Sequence, residues 1–375
     1  MTVRNPMISA LLPASAGRIM VERRPRNRPL AMDFCIIDPL NEPSWDDLVS
    51  MHDGGTFFHS AAWARVLSKT YGHQPMYLRC SRGSEVAALI PLMEVQSRIT
   101  GRRGVGLPFT DMCAPLMYND GEAKEVIDTV SQIAAERRWK YFEIRDAKLL
   151  NGGAAPSVSY LGHCLNLDGG ARRCFSRCSA SAQRAVRKAE AAGVKVETSR
   201  FADAMEVFYK LHARTRKKHG APPQPYTFFE NIQSEVMERG LGFVVIASQG
   251  VHPVAGAVYF QLGRKGIYKF GASDERFLDV RGNNLVMWKA IEHMAENGGE
   301  SLHLGRTSVG NEGLRRFKLS WGAKEERIEY VKFDMIKKEW SVSPDRTSGL
   351  HAALFRKLPV AVNRLAGRML YPHLD

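Results

Sequence analysis

Residue types able to do chemistry concentrate between positions 268 and 323. Arg281-Gly282-Asn283-Asn284 stands directly ahead of Leu285, Trp288, Ile291, Met294 and Ala295, which recur at three and four, so the tetrad opens a helix. Backbone N–H groups at a helix start bind phosphate or a developing oxyanion. Gly282 lets a ligand approach the backbone, an asparagine can cap the helix, and Arg281 adds charge. The plainer alternative is a well-capped helix. Downstream, Arg306, Glu312, Arg315, Arg316, Lys318 and Trp321 crowd a turn and a helix after a strand, a natural place for anion recognition at the open end of a sheet. The alternative there is a solvated basic face. Two groups could take part in moving a proton from an attacking amine. Tyr268 alternates with Lys269 on a strand, so only one of them can face a cleft. Asp111 lies in the Gly/Pro-rich loop PFTDMCAP, where aspartate is also an ordinary turn residue.

The elements that must position these residues repeat. In the first half, strands over 76–80 and 86–94 flank the turn Ser81-Arg82-Gly83-Ser84. Val126, Ile127, Val130, Ile133 and Ala134 then recur at helical spacing, and 141–144 reads as a strand. The second half has the same order: strands over 242–247, 254–262 and 267–270, the helix after Asn284 stopped by Gly298-Gly299, and a strand over 301–304. The matching order predicts a duplicated α/β (α+β) architecture, each unit a mixed, mostly antiparallel sheet flanked by helices. Between the halves lie a Gly/Ala/Ser/Pro stretch over 151–162, a basic helix over 172–192, a strand over 194–198 and a second helix from Phe201 to Gly220. On the basic helix Arg173, Arg177, Arg184 and Lys188 line one face, suited to tRNA or a pyrophosphate-linked glycan, or simply solvated.

The 375 residues exceed one ordinary core, and a net charge of +14 calls for an anionic partner. Residues 1–30 hold six arginines against Glu22, and 171–220 hold thirteen Lys/Arg against four acids. The first thirty residues lack periodicity and read as an extension, or as sequence upstream of a start at Met32. The six cysteines contain no C-x-x-C pair and read as free thiols of a reducing cytoplasm. No apolar run reaches the roughly 18 residues of a membrane span. In the tail, Leu354, Leu358, Val362, Leu365 and Met369 form an apolar face and Arg356, Lys357, Arg364 and Arg368 a basic one, with Pro359 restarting the helix. Such a helix lies on a membrane surface or packs on its own domain. The small and polar residues over 341–349 look like a linker that would let it leave the body.

Three runs carry a resemblance: YKFGAS (268–273), RGNNLVMWKAI (281–291), and HLGRT followed by NEGLRRFKLSWGA (303–323). With FFHSAAWARVLSKTYGHQPMYL (57–78), they resemble the FemAB-like branch of the GNAT acyltransferase superfamily over roughly 45–335. The resemblance implies tandem GNAT-like domains, a degenerate one over 32–163 and an acyl-transferring one over 164–337, flanked by the 1–31 extension and a 338–375 linker and tail helix. It implies a peptidoglycan or exopolysaccharide setting: acyl-CoA or aminoacyl-tRNA as co-substrate, an amine-bearing envelope or polysaccharide precursor as acceptor, and no tightly bound cofactor or metal. A cytoplasmic monomer is expected, with peripheral contact at the inner face of the membrane through 351–370. The family's Phe-Lys-x-x-aromatic-Gly motif maps onto Phe317, Lys318, Trp321 and Gly322, making Lys318 the leading catalytic candidate beside Tyr268 and Asp111. Donor or substrate binding falls to Arg281, Gly282, Asn283, Asn284, Trp288, Arg306, Glu312, Arg316, Phe317 and Trp321. The chain departs from the family in lacking both a long helical hairpin arm and the R-x-x-G-x-G/A loop of acetyl-CoA-dependent members. That leaves a rival from another class, a non-catalytic module holding an anionic glycan or nucleic acid on a degenerate fold.

Overall fold

The computed structural model describes residues 32–118, 123–147, 155–342 and 352–375; the expected extension over 1–31 and most of the 341–349 linker lie outside them. A single large sheet runs through both halves. From one edge its strands are Val194–Ser199, Gly242–Gln249, His252–Leu262, Lys265–Ser273, Ser301–His303, Val158–Asn166, Lys324–Asp334, Tyr141–Arg145, Gly101–Val105, Met93–Ser97 and Gln74–Pro75. Along this order the strands pair antiparallel except at two places, Lys265–Ser273 beside Ser301–His303 and Gly101–Val105 beside Tyr141–Arg145. A second sheet joins Asp33–Ile37, Tyr77–Arg82, Glu85–Ile90 and Leu116–Met117. Strand Lys324–Asp334 pairs with Tyr141–Arg145 on one side and Val158–Asn166 on the other, so it stitches the halves together. The expected boundary at 163/164 falls inside the strand Val158–Asn166.

Side-chain alternation explains why the sheet is covered on both faces. In Gly242–Gln249, Val244 and Ile246 enter a core with Phe208 of the helix Ala202–Lys218, while Phe243, Val245 and Ala247 enter another with Leu285 and Trp288 of the helix Gly282–Glu296. The first of these cores also takes in Trp45, Phe57, Phe58 and Trp63 from the first half. The Phe57 and Phe260 rings lie 4.4 Å apart, and Trp63 meets Phe228 at 5.9 Å. The two halves thus share one aromatic core.

The basic segment is two helices, Gly170–Arg177 and Ala180–Ala191, where the spacing predicted one. Ser179 separates them: its backbone is extended and its hydroxyl caps the second helix by accepting the Ala182 N–H at 3.2 Å. The four-residue stripe is therefore split. Arg177 turns back to donate to the Asn166 carbonyl at 2.7 Å, whereas Arg184 and Lys188 share a face of the second helix.

Candidate active site

The parallel pair in the second half opens like a V. Lys265, Gly266 and Ile267 lie opposite Ser301, Leu302 and His303, and beyond them the strands part. A bulge causes the parting on one side: Tyr259 faces Tyr268 and Val258 faces Phe270, leaving Lys269 as the extra residue. On the other side the chain turns at Gly305, whose φ of 72° belongs to the left-handed region. Lys318 fills the base of the V. Its buried ammonium donates to the carbonyls of Gly305 at 2.8 Å and Arg306 at 3.0 Å. Burial brings its pKa down to about 8, Arg306 pushing the same way and Asp111 opposing.

The helix Gly282–Glu296 starts at the mouth of this V. Its N-cap is Arg281, at φ 60°, with no side-chain cap bond; Asn283 and Asn284 lie inside the first turn instead of capping it. The geometry follows from the entry, a short 3-10 turn over Glu275–Val280 that leads straight into the helix. Asn284 and Leu285 N–H both reach the Arg281 carbonyl, so the first helical bonds begin after the amides of Gly282 and Asn283. Gly282 is required here, because a Cβ would sit 2.8 Å from Val254 Cγ2.

Three cavities adjoin at this point, each walled in part by Phe317. The outermost, about 600 Å3, is lined by Arg184, Lys188, Arg281 and Arg316 and, among the described residues, by no acid. The second, about 240 Å3, holds Gly282, Asn283 and Asn284. The innermost, about 300 Å3, is lined by Tyr268, Met287, Thr215 and Asn283. Tyr268 projects beside Gly271, where any Cβ would overlap its hydroxyl. Burial pushes the phenol up to about 12, so it stays protonated across the neutral range. Sequence reasoning missed Thr215, Met287 and Gly271; a glycine inside a strand was the one available signal. Thr215 ties the helix Ala202–Lys218 to the strand end, accepting from Ser273 N–H and donating to Ser273 O, both at 3.1 Å.

Lys269 takes the opposite face of the strand from Tyr268, as the alternation predicts. It donates to the Phe109 carbonyl at 2.6 Å and lies 3.2 Å from Asp111 Oδ2. Asp111 therefore sits on the Lys269 side of the strand, across from the Tyr268 side chain. Burial works against its ionisation, but Lys269, Arg306 and Lys318 outweigh that and hold its carboxyl below the usual range. Arg306 lies 3.7 Å from Asp111 and 4.6 Å above the Tyr160 ring, and donates to Tyr330 Oη at 2.6 Å. The loop bearing Asp111 has Leu107 at φ 56° and Phe109 at φ 62°, strained values for such side chains. The remaining candidates lie apart. Trp288 packs against Phe175 at 4.6 Å in the core, Trp321 is buried edge-on to Phe317, and Glu312 pairs with Arg315 at 3.3 Å beside a different cavity.

Residues 176–319 match the family model of the Acetyltransferase (GNAT) domain. A search of curated proteins by sequence gives no match. Among solved structures the fold is similar to that of FemX (14% identity, TM-score 0.63, covering 79% of this chain and 96% of that one). It is also similar to the C-terminal domain of a putative lysylphosphatidylglycerol synthetase from Agrobacterium fabrum (14%, 0.51, 89% and 96%). A tandem GNAT protein from the clavulanic acid biosynthesis pathway is a third (9%, 0.50, 81% and 99%). At such identities the structural likeness concerns the fold, while the matched segment spans the V and the helix at its mouth. The fold is thus GNAT-like, a mixed sheet flanked by helices, with the matched GNAT segment confined to 176–319.

Proposed function

We propose that the second half transfers an acyl or aminoacyl group from an anionic donor, a CoA thioester or an aminoacyl-tRNA ester, to an amine of a cell-envelope or polysaccharide precursor. The observation that carries this is the run of three cavities sharing Phe317, cationic at the outer end, set over a helix N-terminus in the middle and ending at a protonated phenol. Arg184, Lys188, Arg281 and Arg316 hold the donor's phosphates, aided by the amides and dipole at the helix start. The acyl carbonyl then lies by Tyr268. The amine lone pair attacks that carbon, the tetrahedral intermediate collapses with cleavage of its C–S or C–O bond, and the leaving thiolate or alkoxide takes the Tyr268 proton. The amine's own proton leaves to water, and the phenolate recovers a proton from solvent.

In this reading Tyr268 is the catalytic residue. Lys318 and Asp111 are positioning residues: Lys318 pins the carbonyls that bound the V, and Asp111 clamps the first half's loop onto Lys269 and Arg306. The test is a screen of acyl-CoAs and aminoacyl-tRNAs with amine-bearing envelope fragments, reading free CoA or deacylated tRNA. Acceptor-dependent consumption of one donor is expected. Retarded ligand migration without consumption of any donor would instead identify the non-catalytic module.

A further inference from the structure

The tail is docked on the body, with the wrong face inward for an ordinary packed helix. The helix Val360–Leu370 seats through Asn363, Gly367 and Tyr371, spaced by four. Asn363 is fully buried and donates to the Phe355 carbonyl at 2.8 Å, and Gly367 lies so close to the Pro223 carbonyl that any Cβ would overlap it. Tyr371 Oη donates to Pro222 O at 3.2 Å and accepts from Arg216 at 3.1 Å. Buried Arg103 then holds the His373 carbonyl and the Asp375 carboxylate, each at 2.8 Å. The expectation of a helix free to leave the body does not hold for these residues.

Because small and polar residues do the docking, the apolar stripe faces outward. Leu365 and Met369 are 59% and 65% exposed, Val362 shares their helix face, and Leu354 of the helix Ala352–Lys357 is exposed as well. Arg356, Lys357, Arg364 and Arg368 accompany them, and the one acid of residues 352–375, Asp375, is already bound to Arg103. Between this tail and the helix Ala202–Lys218 lies a cavity of about 530 Å3 whose wall includes Arg214, Lys217, Lys218, Arg276 and Arg356. Its two carboxylates are matched: Asp274 by Arg214 and Arg276 at 3.2 and 2.6 Å, Glu275 by Lys218 at 3.6 Å. Lys217 and Arg356 add positive charge beyond that balance. Thr215 and Ser273 wall both this cavity and the one holding Tyr268.

We propose that this face lies on an anionic bilayer, with Leu365 and Met369 in the interface and a lipid phosphate in the cavity between the tail and the helix Ala202–Lys218. Charge decides the occupant: an apolar stripe flanked by uncompensated cations fits a negatively charged lipid surface better than a second copy bearing the same cations. No described helix is long and apolar enough to cross a membrane, so the contact is peripheral. Only the orientation of the phosphate cavity toward Tyr268 rests on the transfer reading.

Flotation of the full chain with phosphatidylcholine vesicles, and with mixed phosphatidylcholine–phosphatidylglycerol vesicles, tests it. Binding is expected to the mixed vesicles alone, weakening as salt rises. The double variant Leu365→Glu/Met369→Glu should weaken it at least ~10-fold, and Lys217→Gln or Arg356→Gln about five-fold each. Melting temperatures should stay unchanged, since these side chains do not hold the tail in place. Absence of flotation, or flotation indifferent to the double variant, would overturn the proposal. So would a chain that ignores vesicles yet dimerises in sedimentation velocity through Leu365 and Met369. Flotation needs no donor and reads no turnover, so its failure is separate from a failed transfer assay.

Discussion

The two parallel strand pairs invite comparison, because they are the same device used in opposite ways. In the first half Lys140 N–H donates to the Arg102 carbonyl, and in the second Glu300 N–H donates to the Arg264 carbonyl. Each follows a residue in the left-handed region at the end of a helix, Arg138 and Gly298. Gly104 and Gly266 then occupy equivalent places, a Cβ at Gly104 overlapping the Trp139 ring and one at Gly266 displacing the end of the Met294 side chain. This register puts Gly106 where the second half has Tyr268. The first V is plugged: buried Arg145 donates to the carbonyls of Leu107 at 3.1 Å and Thr110 at 3.0 Å. In the second, Gly305 and Lys318 hold the backbone open, and Tyr268 faces a cavity. The loop of the first half clamps onto the second through Asp111, which meets Lys269 and Arg306.

The largest effect that would sharpen this contrast is on turnover. Tyr268→Phe should lower kcat by about 10^3-fold with little change in donor KM, because it removes a proton donor and leaves the phosphate contacts in place. Next, Arg145→Leu should cost about 3 kcal/mol of stability, read by denaturant melts, since it strips buried carbonyls and Glu143 of their partner. Turnover per folded molecule should fall far less than with Tyr268→Phe. If the two variants exchanged these phenotypes, the division of labour would be reversed. Arg184→Ala and Arg281→Ala should each raise donor KM about ten-fold, more at low salt, with kcat nearly unchanged.

The smallest effect is a pH dependence. Burial leaves the Lys318 ammonium with a folded pKa of about 8, below its ordinary value. Between those two values the unfolded chain binds more protons, so folding stability rises with pH through that window. Wild type should therefore gain stability relative to Lys318→Met as pH climbs from about 8 to about 10. A parallel pH course for the two proteins would place Lys318 in a solvated site.

Much of this was legible in the residues. The duplicated order came from hydrophobic period and turn residues, because strand and helix spacing are local properties. Arg281, Asn283, Asn284, Arg316 and Phe317 do converge on one set of cavities, since a helix start and a neighbouring helix face are readable from spacing. What failed depends on register or on distant packing. No local pattern announces the bulge at Lys269, which puts Lys269 and Phe270 on the same side of the strand and starts the parting of the V. Ser179 looked like one more helical residue until its extended backbone broke the basic helix. The tail's apolar stripe was plain, but that Asn363, Gly367 and Tyr371 would make the contact depends on Pro222, Pro223 and Arg103, far away in sequence.

The central claim, that the donor lies in the second V and not the first, is tested most directly by photocrosslinking. A donor identified in the screen, carrying a photoreactive acyl group, is bound, irradiated and located by mass spectrometry of the digested chain. The account predicts adducts on Met287, Phe317 and the strand bearing Tyr268, suppressed by excess unlabelled donor and by Arg281→Ala. Adducts on the 106–113 loop of the first half, or labelling indifferent to competitor, would contradict it.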